Sequence, residues 1–160
     1  MRQPNDAVRE HLVKLLDWED AHAGFDKAVA GLTPGQRGVR PAGFEYSAWQ
    51  LVEHLRLAQD DILDFCLNPK YTHVLTWPDD YWPKSPVPAS EEAWTESLAS
   101  IRRSRERMQR LTREVEDLTA TVPTGTGSQT YLRAVLLAAD HMAYHVGQLV
   151  AVRKAAGNWT

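Results

Sequence analysis

The sequence predicts an all-α protein: a four-helix bundle in a single domain, residues 1–160. Two observations carry the prediction. Four long stretches repeat apolar residues at three- and four-residue steps, the period of one helical face. No stretch of weight alternates apolar and polar residues as a strand does, and four helices without a sheet bury their apolar faces most simply against one another.

The first helix is predicted to start after Pro4, with Asn5 or Asp6 as cap, and to run to about Ala30. Leu12, Leu15, Trp18, His22, Phe25 and Val29 set its period, and Gly31 suits its end. A loop rich in glycine and proline follows. The second helix is capped by Ser47, with Gln50 as capping-box partner, and carries Leu51, Leu55, Ala58, Ile62 and Phe65 on one stripe. Asn68-Pro69 stops it. The segment from Tyr71 to Pro88 is a long loop dense in proline and aromatics, so we expect it to be ordered, with Trp77 or Trp82 buried. The third helix starts from Ser90 and is predicted to reach Leu118, with "RRSRER" as a solvated face. The turn-rich "TVPTGTGS" leads to a fourth helix from near Ser128 to near Gly157. This last stretch is apolar on almost every side and should be the most buried.

Bulk properties exclude several function classes. The 160 residues carry a net charge of -3, which gives no electrostatic reason to expect a nucleic acid partner. Cys66 is the single cysteine and has no internal disulfide partner, which points to a reducing compartment, and the expected location is cytoplasmic. The first residues lack the apolar core of a signal peptide, and no run of about 18 apolar residues predicts a membrane span.

The chemistry concentrates in the histidines. His141 and His145 stand four residues apart, on one helical face, where two imidazoles can converge on one metal ion. Such a pair also arises by chance. His54 lies mid-way along the second helix between Leu51 and Leu55, where a hydrogen-bonded core histidine is the bland alternative. Three imidazoles in one bundle interior would cost free energy if left without partners, and one divalent ion satisfies all three. Three neutral ligands leave an open position, the catalytic type of site. His22, Gln50, Tyr144 and Gln148 fall at spacings that let them edge the same cavity. Glu53 and Asp140 each precede a histidine by one residue, a step that turns them away from its metal, so either an outer orienting role or a salt bridge fits them. His11 and His73 read as surface residues.

The stretches "SAWQLVEHLRLAQDDIL" and "LLAADHMAYHVGQLVAVR", with "DDYWP", "EEAWTESLASIRRSRERM" and the terminal "GNW", resemble the DinB-like (YfiT-like) family of metal-dependent enzymes. The resemblance runs from about residue 8 to 159. It implies an up-down-down-up bundle with one divalent metal ion, commonly zinc or nickel, and His54, His141 and His145 as ligands. It also implies a function, since several relatives transfer bacillithiol or mycothiol and one branch isomerises maleylpyruvate with mycothiol.

The expected function is therefore transfer of a low-molecular-weight thiol of the bacillithiol or mycothiol type to an electrophilic small molecule. A coordinating thiol is deprotonated by the metal, and the chain shows no nucleophile of its own near the histidines. The alternatives are a metal-dependent hydrolase, which would need a general base beside the ion, and a non-catalytic metal- or small-molecule-binding bundle. A homodimer is a further expectation; a membrane partner is not.

Overall fold

The computed structural model describes residues 4–159. Their regular structure is helical: α1 (Pro4–Leu15), α2 (Phe25–Val29), α3 (Pro34–Arg37), α4 (Ala48–Leu67), α5 (Glu91–Glu114), α6 (Tyr131–Ala155) and a 3-10 turn at Asp79–Tyr81. Among these residues there is no strand, only an isolated bridge between Thr121 and Thr130.

Local chemistry sets most boundaries. Ser47 accepts from the Gln50 backbone N–H while the Gln50 side chain accepts from the Ser47 N–H, which closes the predicted capping box of α4. Ser90 caps α5 through the Ala93 N–H. α6 is capped by Thr130, two residues beyond the predicted Ser128, and closes at Gly157, whose φ of 70° is the left-handed turn that favours glycine. α5 stops at Glu114, short of the predicted Leu118. Glu114, Glu116 and Asp117 crowd acid onto the negative end of the helix dipole there. Arg9 of α1 takes up two of the freed carbonyls, Thr112 at 2.8 Å and Glu116 at 2.9 Å.

The first helix departs most from expectation. It ends at Leu15 and resumes only as α2, leaving Asp17 to Gly24 as a crossover. Asp17, Glu19 and Asp20 put three acids where a continuing helix would carry its negative pole, and Gly24 follows. The acids are used elsewhere. Arg105 donates to Asp17 at 2.7 Å and to Asp26 at 2.9 Å, and Arg102 donates to Asp26 at 2.7 Å. The "RRSRER" stretch is thus not simply a solvated face, because two of its arginines lash the crossover and α2 to α5.

α4 packs between α5 and α6, α1 lies against α5 and α6, and α2 covers part of α6. Two apolar clusters result. One gathers Phe25, Trp49, Leu55, Trp94, Ile101 and Leu149; the other gathers Leu12, Leu63, Cys66, Met108 and Val135. α6 passes from the second cluster to the first, and His141 stands at the changeover between Ala138 and Met142. By length and composition α6 is apolar enough to cross a membrane; 44% of that stretch is buried inside the fold.

The loop after α4 is anchored by Tyr81 rather than by either of the tryptophans expected to be buried. Trp77 is 65% exposed and Trp82 only partly buried, whereas Tyr81 is 4% exposed. The Tyr81 hydroxyl donates to Asp61 of α4 at 2.6 Å. Asp61 also accepts from Tyr71 at 2.8 Å, and this carboxylate adds to burial in pushing both phenols well above their ordinary value.

Cys66 is 1% exposed, and burial pushes its thiol up to about 12. At pH 8 its thiolate fraction is then about a thousandfold below that of a free cysteine. The native protein should resist iodoacetamide and label stoichiometrically in urea, followed by intact mass. Rapid native labelling would show that this end of the core opens readily.

Candidate metal centre

α4 and α6 face one another, and their histidines meet. His54 Nε2 lies 3.0 Å from His141 Nε2 and 3.1 Å from His145 Nε2. One nitrogen from each of the three falls within 4.8 Å of the others, close enough to hold a metal ion. His54 and His145 are buried at 1% and 5% exposure, and His141 is half-buried.

The protons decide what this cluster can do. His54 Nδ1 is 2.9 Å from the Tyr81 carbonyl oxygen, which only accepts, so the proton sits on Nδ1 and Nε2 carries a bare lone pair. His145 Nδ1 is 2.6 Å from Gln148 Oε1, another acceptor, and its Nε2 is bare for the same reason. Two lone pairs therefore face each other at 3.1 Å with no proton to share. A cation between them removes that repulsion and completes both groups at once. Ligand bonds of about 2.0–2.1 Å in a tetrahedral site put nitrogens about 3.3 Å apart, a few tenths of an ångström beyond the separations seen. The third ring fits the same reading, and its Nδ1 is buried without a partner among the described residues.

A family model of the DinB superfamily matches residues 17–149. The chain belongs to the DinB superfamily. No curated protein and no solved structure matches it. The helical fold and the grouped histidines agree with that membership.

That loop supplies what the sequence reading of this DinB chain missed. Trp82 lies flat on His54, with ring centroids 3.8 Å apart and planes within 3°, and Tyr46 lies on the other face of Trp82 at 3.7 Å. Tyr81 contributes its carbonyl to His54, a role that no side-chain pattern encodes. The density of aromatic residues in "TWPDDYWP" was the available signal for Trp82; nothing in the sequence marked Tyr46.

The remaining predicted residues divide. Gln148 touches the cluster through His145, and its Nε2 donates to the Tyr144 hydroxyl at 3.3 Å. Tyr144 meets the His145 ring edge-on at 4.9 Å and is 63% exposed, so it borders the cluster from the solvent side. Gln50 is buried, but its amide is used by Ser47, by Arg40 at 3.0 Å and by the Pro83 carbonyl at 2.8 Å. His22 is exposed in the crossover, donates from Nδ1 to the Ala23 carbonyl, and lines a different cavity beyond α6. Its predicted place on a continuous first helix was lost when that helix broke. Glu53 accepts from Arg56 and from Ser97 at 2.6 Å, so it joins α4 to α5. Asp140 is exposed and holds no imidazole.

Burial keeps these rings neutral. It lowers His54 from 6.5 to about 4, against the raising effect of the Tyr81 carbonyl, and it lowers His141 to about 3, helped by the neighbouring imidazoles. His145 is lowered too, with Gln148 opposing. Neutral imidazoles are the form a metal ion requires.

Two measurements test the cluster. His141→Ala should abolish stoichiometric binding of zinc or nickel, while Gln148→Ala should weaken it by about tenfold to a hundredfold, the usual cost of losing an orienting partner. Both should keep the far-UV circular dichroism of the parent. Full occupancy in His141→Ala by elemental analysis would remove His141 from the ligand set.

The second concerns acid. Unfolded imidazoles protonate near 6.5, whereas folded His54 and His141 stay neutral to about 4 and 3. Their folded values are depressed, so folding binds fewer protons than unfolding does. The stability of the chelator-treated protein should be full above about pH 6.5 and fall as pH drops through 6.5 towards 4. Each imidazole adds at most about 1.4 kcal/mol per pH unit to that slope. Urea midpoints at pH 7.5, 6 and 5 measure it, and a flat series would contradict the assigned burial.

Proposed function

We propose that this DinB protein is a metal-dependent transferase that joins a low-molecular-weight thiol, of the bacillithiol or mycothiol type, to an electrophilic small molecule. His54, His141 and His145 hold the divalent ion, zinc or nickel, on an up-down-down-up bundle of α1, α4, α5 and α6. The single cysteine agrees with a reducing, cytoplasmic setting.

The observation that carries the reading is the pair of bare Nε2 lone pairs aimed at one point. A divalent ion held there supplies the charge that deprotonates a thiol. The chain's own residues do the rest. The Tyr81 carbonyl and Gln148 keep the His54 and His145 protons on Nδ1, so that neither Nε2 is blocked. Trp82 and Tyr144 flank the rings with aromatic surface, suited to an apolar electrophile. The thiol proton leaves to solvent, a carbon–sulfur bond forms, and the leaving group departs from carbon. No protein nucleophile is required, and Cys66 is sealed in the core.

Hydrolysis asks for more than the site offers. Activation of water is helped by a general base within hydrogen-bond reach. Glu53 is held by Arg56 and Ser97, and Asp61 by two tyrosines.

Metal-loaded protein should accelerate conjugation of bacillithiol or mycothiol to a simple aromatic electrophile such as chlorodinitrobenzene, followed by product absorbance. His54→Ala should lose the acceleration and Cys66→Ser should keep it. Cleavage of ester or amide substrates without thiol, with no conjugation by any thiol tried, would replace this reading with the hydrolase.

A further inference from the structure

Asp61 of α4 meets three titratable side chains of the loop that follows the helix. The Tyr71 hydroxyl lies 2.8 Å from Asp61 Oδ1, and the Tyr81 hydroxyl lies 2.6 Å from Asp61 Oδ2. His73 Nδ1 lies 2.9 Å from the Tyr71 hydroxyl. One phenol would tether the loop; here two phenols and an imidazole gather on one carboxylate. Tyr71 has a single hydroxyl hydrogen for two neighbours. Once it is donated to Asp61, His73 must carry its own proton on Nδ1 to complete the contact. Burial does not force this fourth member into place, since the His73 side chain is 51% exposed.

A carboxylate, two phenol oxygens and an imidazole are a different donor set from three histidines. Hard oxygen donors suit a hard cation, whereas imidazoles suit zinc or nickel. With both phenols ionised the set carries three negative charges, which a trivalent ion cancels and a divalent ion does not. Burial and the Asp61 carboxylate hold both phenols protonated well above their ordinary range, so only a strongly Lewis-acidic cation displaces those protons. An octahedral ion with bonds of about 2.0 Å sets neighbouring donors about 2.8 Å apart and opposite donors about 4 Å apart. The three contacts at 2.8, 2.6 and 2.9 Å match the first separation. His73 Nδ1 and Asp61 Oδ2, 3.9 Å apart, are too far for a hydrogen bond and match the second. An ion can thus replace the phenol protons with little movement, while His73 keeps its proton on Nε2 instead of Nδ1.

We propose that Asp61, Tyr71, His73 and Tyr81 form a second metal site, selective for a hard trivalent cation, ferric ion. On binding, each phenol releases its proton to solvent and its oxygen bonds to the ion; no electron is transferred. Four protein donors leave two positions of an octahedron to solvent oxygen. The site shares no ligand with the histidine cluster. Tyr81 links the two, because its hydroxyl belongs here while its backbone carbonyl holds His54. The assignment stands apart from the proposed transferase chemistry.

The test is a titration of the full-length chain with ferric nitrilotriacetate in the presence of excess zinc, read by visible absorption. A phenolate bound to ferric ion gives a charge-transfer band that imidazole and carboxylate ligands do not. The wild type should develop this band and saturate at one equivalent, undisturbed by the zinc. Tyr71→Phe and Asp61→Asn should lose most of the band at one equivalent, and His54→Ala should keep it. Tyr71→Phe retains the ring that packs edge-on against Phe65 at 5.2 Å, so its loss of the band would not be a loss of fold, and the far-UV spectrum verifies this. A wild type without the band would overturn the proposal. So would a band of full strength in both Tyr71→Phe and Asp61→Asn, or one that vanishes in a folded His54→Ala.

Discussion

The hydrogen bond from His54 Nδ1 to the Tyr81 carbonyl is the constraint on which the site depends. It fixes one imidazole tautomer and also fixes where the long loop lies. The same loop is bound to α4 at three further points. Ser47 donates to the Pro86 carbonyl at 2.6 Å, Gln50 donates to Pro83, and Asp61 accepts from Tyr81. Positions 47, 50, 54 and 61 are helix steps of three, four and seven, so the four tethers share a face. The loop is thus laid along the helix as a strip, with Trp82 pressed between His54 and Tyr46. Each tether fills a backbone carbonyl or the partly buried Asp61 carboxylate.

A second side of α4, about a third of a turn away, carries a different polar seam. Arg56 bridges Glu53 and Asp60 on the helix itself, and Ser97, Ser100 and Ser104 of α5 donate to those same two carboxylates. Small serines at steps of three and four let α5 approach closely while satisfying the acids. This division explains why Glu53, which precedes His54, does not enter the histidine cluster. Glu53 is needed to join two helices, and only neutral acceptors, a carbonyl and an amide oxygen, orient the imidazoles. Neutral orienting groups would leave the positive charge of a bound ion uncompensated.

Much of this was legible in the sequence, for identifiable reasons. Ser47 with Gln50, Ser90, and Asn68-Pro69 are local signals, and the helix ends they mark formed where expected. His54, His141 and His145 could be placed together because helical spacing fixes the face of each. The crossover was not legible, because Trp18, His22 and Phe25 keep a helical period that the acids at 17, 19 and 20 override. His22 was drawn towards the site by that period and lies elsewhere. Tyr81 escaped because its decisive atom is a backbone oxygen. Tyr46 escaped because stacking across a loop leaves no spacing to read. Asp61 looked like one acid among several on a polar helix face, and only the folded loop shows that it binds two phenols.

The apolar character of α6 has two causes that the sequence merges. Val135, Ala138, Val146 and Leu149 are apolar because they fill the two core clusters. Leu136 and Leu137 are apolar on a side that no helix of this chain covers. The gap follows from the broken first helix. α1 stops at Leu15, α2 starts at Phe25 against α6, and the cavity lies beside the nine residues between them. Three acids in four residues therefore do more than end a helix. Asp17 and Asp26 tie the crossover to the arginines of α5, and two leucines are left half-exposed. An apolar helix is matched on every side that water does not claim.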